Sequence, residues 1–393
     1  MKSTYDVIVA GLGAMGSAAL YHLAARQIDV LGLDRFLPPH DRGASHGYTR
    51  TIRLAYQEGL AYVPLVRRAL ELWRELEQNG RRLLVTTGGL TIGLPDSTAV
   101  TGCIDSATRF NIVHEVLSSS EIHSRHPQLL PPDDFVGVFE PSTGVLHPEA
   151  CIRAHLDSAR QRGAQIAANQ PLQRWEVQSS GQTLRVYTSK GVYHTGCLIL
   201  TTGAWSSGLL AQYDIQLHPK RVLQHWLKPT RLQKQFRAPQ LPVHFWQMPD
   251  GTECYGHPMV GNREPGVKIG FHNIISDCDP EVVDKAVTPQ DLARLETFIK
   301  AHIPALAGHR VRTDPSVYTL SPDCHFVIGA LPGNPRLLLG VGLSGHGFKF
   351  ASAIGEALAD LALIGKTTLD ISAFSPTRLT TTPKRMPGNA PVH

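Results

Sequence analysis

No two of the six cysteines (Cys103, Cys151, Cys197, Cys254, Cys278, Cys324) stand in a C-x-x-C spacing. The chain therefore carries neither the pattern of a zinc site nor a disulfide framework, and a reducing compartment is the expected setting. No apolar run is long enough to cross a bilayer, and the N-terminus enters a strand without the basic-then-apolar order of a secretion signal. The expectation is a cytoplasmic protein that does not engage membranes. Long basic runs and arginine-aromatic interleaving are also missing, which argues against nucleic acid as a partner. Basic residues number 38 against 33 acidic, a formal charge of +5, enough only for a mild attraction of anionic small molecules. There is no internal repeat and no metal-ligand pattern. At 393 residues the chain suggests two domains.

Tyr5-Asp6-Val7-Ile8-Val9-Ala10 reads as a strand. Gly11-Leu12-Gly13-Ala14-Met15-Gly16 follows, then a helical stretch carrying Leu20 and Leu23, and a second apolar run, Val30-Leu31-Gly32-Leu33, that ends in Asp34. Strand, three spaced glycines, helix, strand and acid are the dinucleotide-binding order. Gly11 allows the tight turn, Gly13 lets the backbone approach a pyrophosphate, Gly16 lets helix and strand pack closely, and Asp34 accepts hydrogen bonds from a ribose. The motif leaves FAD and NAD both open, while the acid argues against a 2′-phosphate.

A second glycine-rich turn stands far along the chain. Leu337-Leu338-Leu339-Gly340-Val341 reads as a buried strand, Ser344-Gly345-His346-Gly347-Phe348-Lys349-Phe350-Ala351 follows, and a helix is predicted with Phe350, Ile354, Leu358 and Leu361 on its apolar face. Such a turn points backbone N–H groups and the positive end of a helix dipole at one spot, where a partly anionic ring or a carboxylate is stabilised. Taken alone it is also a tight turn with a solvated lysine.

Arg42-Gly43-Ala44-Ser45-His46-Gly47-Tyr48-Thr49-Arg50-Thr51-Ile52-Arg53 is a polar loop that is expected to end in a helical turn. Three residues apart, Arg50 and Arg53 would share a face, to bind an anion or stand in solvent. A helix is predicted next, with Pro64 in its first turn, Leu65, Ala69, Leu72, Trp73 and Leu76 on one stripe, and Asn79-Gly80 closing it. From Leu84 to His147, short apolar pieces read as an excursion into a second domain. Pro148-Glu149-Ala150 starts a helix that runs to Gly163. Strands lead from there to Cys197–Leu200, and Thr202-Gly203-Ala204 looks like a return to the nucleotide domain. Between Lys220 and Val317 several strands are expected with one helix, for which Thr288 is the N-cap. The chain from Phe374 onward is expected to be a docked or frayed tail.

Val267-Lys268-Ile269-Gly270-Phe271-His272 alternates, so Lys268, Gly270 and His272 share one face. That face meets either water or a cavity. Tyr255 and Tyr318 are residue types that more often pack than bind a ligand, and Phe245, Trp246 and Met248 fit an ordinary core strand as well as the lining of such a cavity.

Taken together, the Gly11 to Gly16 turn with Asp34, the Ser45 to Arg53 loop, Phe139-Glu140-Pro141 with Gly144, the Lys268 strand and Leu343 to Phe350 resemble the monomeric sarcosine oxidase and N-methyltryptophan oxidase family of flavoproteins. The similarity runs from the first strand to about Phe374. It implies a mixed α/β fold in which a Rossmann-like FAD-binding domain (1–83, 148–217 and 323–375) interleaves with a β-sheet-based substrate domain (84–147 and 218–322), before a tail (376–393). It implies FAD rather than NAD, oxidation of a secondary amino acid to an imine with O2 reduced to H2O2, and a monomer. By position, Arg53 and Lys349 match the pair that clamps the substrate carboxylate, and Tyr255 and Tyr318 match tyrosines near the substrate. His272 matches a histidine near the amine, Arg50 and His46 groups near the flavin ring, and Lys268 the lysine that promotes O2 reduction. The cofactor contacts implied are Gly11, Gly13, Ala14, Met15, Gly16, Asp34, Arg35, Ser45, His46, Thr49, Gly203, Ser316, Gly342, Gly345, His346, Gly347 and Lys349.

One position departs from the family. The cysteine to which FAD is commonly attached is here Ser316, two residues before Tyr318. A thiol of pKa about 8.5 supplies some thiolate near neutrality and a serine hydroxyl essentially none. FAD is therefore expected without a covalent link. The alternatives are a relative adapted to a biosynthetic imine-forming step with O2 or another electron acceptor, a flavin-binding protein that has lost turnover, for which Ser316 is the one supporting feature, and an NAD-dependent dehydrogenase, which the Ser344 to Ala351 motif disfavours.

Overall fold

The computed structural model describes residues 2–77, 80–178, 181–262 and 264–380. Asn79, expected to close a helix, and residues 381–393 of the tail lie outside the described residues.

Apolar residues on both faces of Thr4–Ala10 make it the centre of the first sheet. Val7 and Val9 pack toward the helices, while Ile8 and Ala10 face a separate cluster on the other side. Val30–Leu33 and Gly191–Leu200 pair with it in parallel. Gln165–Ala167 and Asn334–Val341 extend the parallel set outward. A sheet buried on both faces needs such continuous apolar runs. The helices Ala14–Ala25, Tyr62–Glu77, Pro148–Gln161 and Ala351–Ile364 cover one face.

Among the described residues the second sheet has nine strands, which the chain supplies in two visits. Gly89–Gly93, Glu115–Ser118 and Val136–Glu140 come first, and Val243–Gln247 joins them by pairing in parallel with Gly89–Gly93. Glu253–His257, Val267–Phe271, His218–Leu227 and Arg310–Leu320 continue it antiparallel. Trp246, Cys254, Val267, Ile269 and Phe271 form its core face, packed with Leu295, Phe298 and Ile299 of the helix Pro289–His302. Thr288 caps that helix as expected, in a capping box with Asp291.

A small third sheet corrects one expectation. Arg50–Ile52 is a strand and not a helical turn, paired with Gly144–Leu146, which also pairs with Leu84–Thr86. Arg50 and Arg53 thus do not share a helical face. The physical reason is a partner about 90 residues away in sequence, Gly144–Leu146, whose backbone satisfies a segment too short to show its own periodicity. Phe374 is buried, and Arg378 ties the described part of the tail to Asp323 at 2.7 Å.

Candidate active site

Every predicted site residue except Gly16, His46 and Thr49 lines one cleft between the first sheet's glycine turns and the second sheet. On the nucleotide side, Gly11 adopts φ +90°, and a Cβ there would stand 2.4 Å from the Thr201 carbonyl oxygen. At Gly16 a Cβ would come within 1.7 Å of the Gly11 oxygen, so this glycine supports the turn from beneath. Asp34 is buried, and its carboxylate accepts from the backbone N–H groups of Leu12 (2.6 Å) and Phe36 (2.8 Å). Arg35 forms an ion pair with Glu281 and lies 5.5 Å from the Trp205 ring.

The two cations expected to bind a carboxylate are both buried, but Arg53 already holds one. Its Nη2 donates to both oxygens of Glu58, at 3.1 and 3.2 Å, while its Nε is buried without a partner among the described residues. Burial acts to raise the Glu58 pKa, yet Arg53, with His346, Lys349 and His272, brings it down to about 2. Glu140 fixes this turn by accepting from the backbone N–H groups of Leu54 and Ala55. Lys349 donates to the Tyr56 hydroxyl and the His346 carbonyl. Burial lowers its pKa to about 7, Arg53 adding to the effect and Glu58 opposing it.

Of the two readings of the Lys268 face, the structure selects the cavity. Lys268 is 2% exposed, and its Nζ donates to the carbonyls of Thr49 (3.1 Å) and Gly47 (3.3 Å). Burial, reinforced by Arg50, pushes its pKa well below the usual range, against Glu149 and Asp314. Glu149 holds the same loop from outside by accepting from the N–H groups of Gly47 and Tyr48. Arg50 donates to the Thr49 and Ala44 carbonyls. Gly270 leaves room for Tyr255, since a Cβ would meet its phenol oxygen at 2.5 Å. Gly345, at φ +83°, lies against the Tyr318 and His272 rings in the same way. Burial above all lowers the His272 pKa to about 4, so the ring is neutral at ordinary pH.

Ser316 lines the cleft with a buried Oγ that has no hydrogen-bond partner among the described residues. His46 is buried behind the lining, its pKa lowered to about 4 by burial and then by Arg50 and Lys268. Thr49 hydrogen-bonds His257, which bridges it to Thr51. Phe245 lines the cleft, whereas Trp246 and Met248 belong to the core side of the sheet. Sequence reasoning missed Glu58, Tyr56, His257 and Gln224. An acid five residues after Arg53 was the one available signal for Glu58.

A family model described as DAO, FAD dependent oxidoreductase, matches residues 6–361. The chain belongs to this family of FAD-dependent oxidoreductases. Among its relatives, the monomeric sarcosine oxidase of Streptomyces avermitilis is 39% identical over 385 residues, 98% of this chain and 100% of its own length. The monomeric sarcosine oxidase of a Bacillus species is 36% identical, covering 95% of this chain and 96% of its own. The N-methyl-L-tryptophan oxidase of Salmonella newport is 34% identical, covering 94% and 98%. The fold is shared with NikD, an amino acid oxidase essential for nikkomycin biosynthesis (TM-score 0.81, 24% identity, 95% of this chain and 98% of that one). It is also shared with L-proline dehydrogenase from P. horikoshii (TM-score 0.82, 22% identity, 97% and 99%). The residues of this oxidoreductase fit FAD. A Cβ on Gly13 would meet only the Ser45 Oγ, at 3.5 Å, so the backbone there is open to a ligand. Among the described residues, Ser316 Oγ and Gln224 Nε2, like Arg53 Nε, Trp205 Nε1 and His244 Nε2, are buried polar atoms of the lining without a hydrogen-bond partner.

Proposed function

We propose that this protein oxidises a secondary amino acid, N-methyl or cyclic, to its imine, with O2 reduced to H2O2. The observation that carries the reading is the presence of two buried cations, Arg53 and Lys349, in the cleft that holds the nucleotide turn. Relatives named for sarcosine and N-methyl-L-tryptophan support it. The substrate gives up one C–H and one N–H hydrogen, two electrons and two protons, which equal those gained by O2. FAD, when bound, supplies the acceptor that takes these electrons and passes them to O2.

The chain's own residues orient and exclude. Arg53 and Lys349 hold the carboxylate in charge-assisted hydrogen bonds, which fixes the α-carbon and the amine. Glu58 occupies Arg53 until the substrate carboxylate replaces it. His272, neutral above about pH 4, offers the amine an acceptor rather than a competing charge. Tyr255 and Tyr318 wall the site against water. Lys268, gripped by two carbonyls, stabilises negative charge that develops on O2, and Arg50 and His46 lie in the same electropositive region.

Residues 1–83, 148–217 and 323–375 are the proposed FAD-binding part, 84–147 and 218–322 the substrate part, and 376–393 the tail. A cytoplasmic monomer is proposed on the six free cysteines and on the monomeric state in the relatives' names. Among the described residues no helix is long and apolar enough to cross a membrane.

With O2 present, each substrate molecule consumed is expected to yield one H2O2 and the carbonyl product of imine hydrolysis. Turnover with a dye acceptor but no peroxide would point to a different electron acceptor. Acid precipitation is expected to leave FAD in the supernatant, because Ser316 is no nucleophile. In Ser316→Cys, whose thiol would occupy the lining position of the unpartnered Oγ, a covalent flavin fraction is expected in the pellet. Flavin in the wild-type pellet would contradict the non-covalent assignment.

A further inference from the structure

We infer that Tyr56 is a positioning residue of the carboxylate site, taking a hydrogen bond from the Lys349 ammonium while giving its own proton to His346. The inference rests on the reading of Arg53 and Lys349 as the carboxylate clamp.

Tyr56 is fully buried in the turn between the Arg50–Ile52 strand and the Tyr62–Glu77 helix, and its backbone N–H donates to Ser106 Oγ at 2.8 Å. Its hydroxyl lies 2.6 Å from His346 Nδ1 and 3.3 Å from Lys349 Nζ. The other nitrogen of His346 sets the direction of both bonds. His346 Nε2 faces the Cys324 carbonyl at 3.4 Å, which only accepts, so Nε2 carries the ring proton. Burial chiefly holds this ring neutral down to about pH 3, which leaves Nδ1 bare. The Tyr56 hydroxyl must then donate to Nδ1, and its oxygen lone pairs remain for Lys349. The His346 carbonyl takes a second Lys349 N–H at 3.0 Å. One N–H is left for a substrate carboxylate. The Tyr56 ring also lies 5.0 Å from Lys349 Nζ and 5.4 Å from the Arg53 guanidinium, a favourable setting for both cations.

The charged and titratable groups around Lys349 are Arg53, Glu58 and Tyr56 from that turn, His346 from its own, and His272 and His257 from the second sheet. Without the phenol oxygen the ammonium keeps one of its two acceptors, and its pKa falls below about 7. A carboxylate binds the ammonium form. A lower pKa therefore leaves affinity unchanged below both values and weakens it above them, by tenfold for each unit.

The test uses the FAD-loaded full chain as wild type, Tyr56→Phe and Lys349→Met. Methoxyacetate, which has no amine and is ionised throughout, is titrated from about pH 5 to 9 while the flavin absorbance is followed. Tyr56→Phe is expected to bind about 3- to 10-fold more weakly than wild type at pH about 8, and equally near pH about 5. Lys349→Met is expected to bind weakly and without the wild-type pH dependence. A Tyr56→Phe profile that superimposes on wild type, or is weaker by the same factor at every pH, overturns the inference while leaving the clamp in place. Wild-type affinity in Lys349→Met overturns the clamp and the inference with it.

Discussion

Lys268→Met is expected to slow reoxidation of the reduced flavin by O2 about 10²–10³-fold, while reduction by substrate stays within a few-fold of wild type. Loss of one preorganised charge stabiliser from a dry site costs about that much. Lys268 lies beneath the carbonyls of Gly47 and Thr49, 2% exposed, so no water replaces its charge. Methionine keeps the length and apolar stem but leaves those carbonyls without this donor, at a cost to stability of about 1–3 kcal/mol. Thermal unfolding is measured beside the two half-reactions for that reason. The Lys268 pKa is depressed, chiefly by burial. The wild-type oxygen rate should therefore fall as pH rises through it, and the variant should be flat over that window. Equal losses in both half-reactions, or no loss in either, would remove Lys268 from the oxygen step.

Arg53→Met is expected to weaken substrate carboxylate binding about 10²–10³-fold, and it should destabilise the fold for a separate reason. Truncating one member of a desolvated charge pair costs about 2–5 kcal/mol of binding. Here it also strands Glu58. The Arg53 and Glu58 side chains are 10% and 17% exposed, so the stability loss should be about 2–3 kcal/mol, below the about 3–5 of a fully buried pair. The folded-state pKa of Glu58 is depressed to about 2. Its contribution is therefore present above the unfolded value of about 4.3 and is lost as pH falls toward 2. Arg53→Met should lose that part of the acid dependence. Arg53→Met/Glu58→Gln should recover stability but not binding, a split measured by urea unfolding and by KM. Recovery of both together would mean that Arg53 serves the fold alone.

Signals confined to one segment were legible in the sequence. The glycine turn with Asp34, the stripe from Leu65 to Leu76 and the alternation around Lys268 each state their structure within a few residues, because burial imposes a period on contiguous side chains. Arg50–Ile52 was not legible, since a three-residue strand inside a polar loop owes its form to Gly144–Leu146. Alternation placed Lys268 on a face but could not say that the face is a cleft wall. That depended on the first sheet's turns arriving opposite. Glu58 and Tyr56 were hidden for the same reason. An acid five residues after an arginine is a signal too common to mark Glu58 as the partner of Arg53, and nothing in the local pattern marks a tyrosine as the link between Lys349 and His346.

The most direct test is anaerobic mixing of the purified FAD-loaded protein with sarcosine, other N-methyl amino acids, proline and pipecolate, each beside its decarboxylated amine, while flavin absorbance is followed. Bleaching by at least one of the amino acids, and not by the matching amine, is the predicted result. A flavin that dithionite reduces but that none of these amino acids bleaches, or one bleached equally well by the amines, would contradict oxidation of a carboxylate-anchored secondary amino acid.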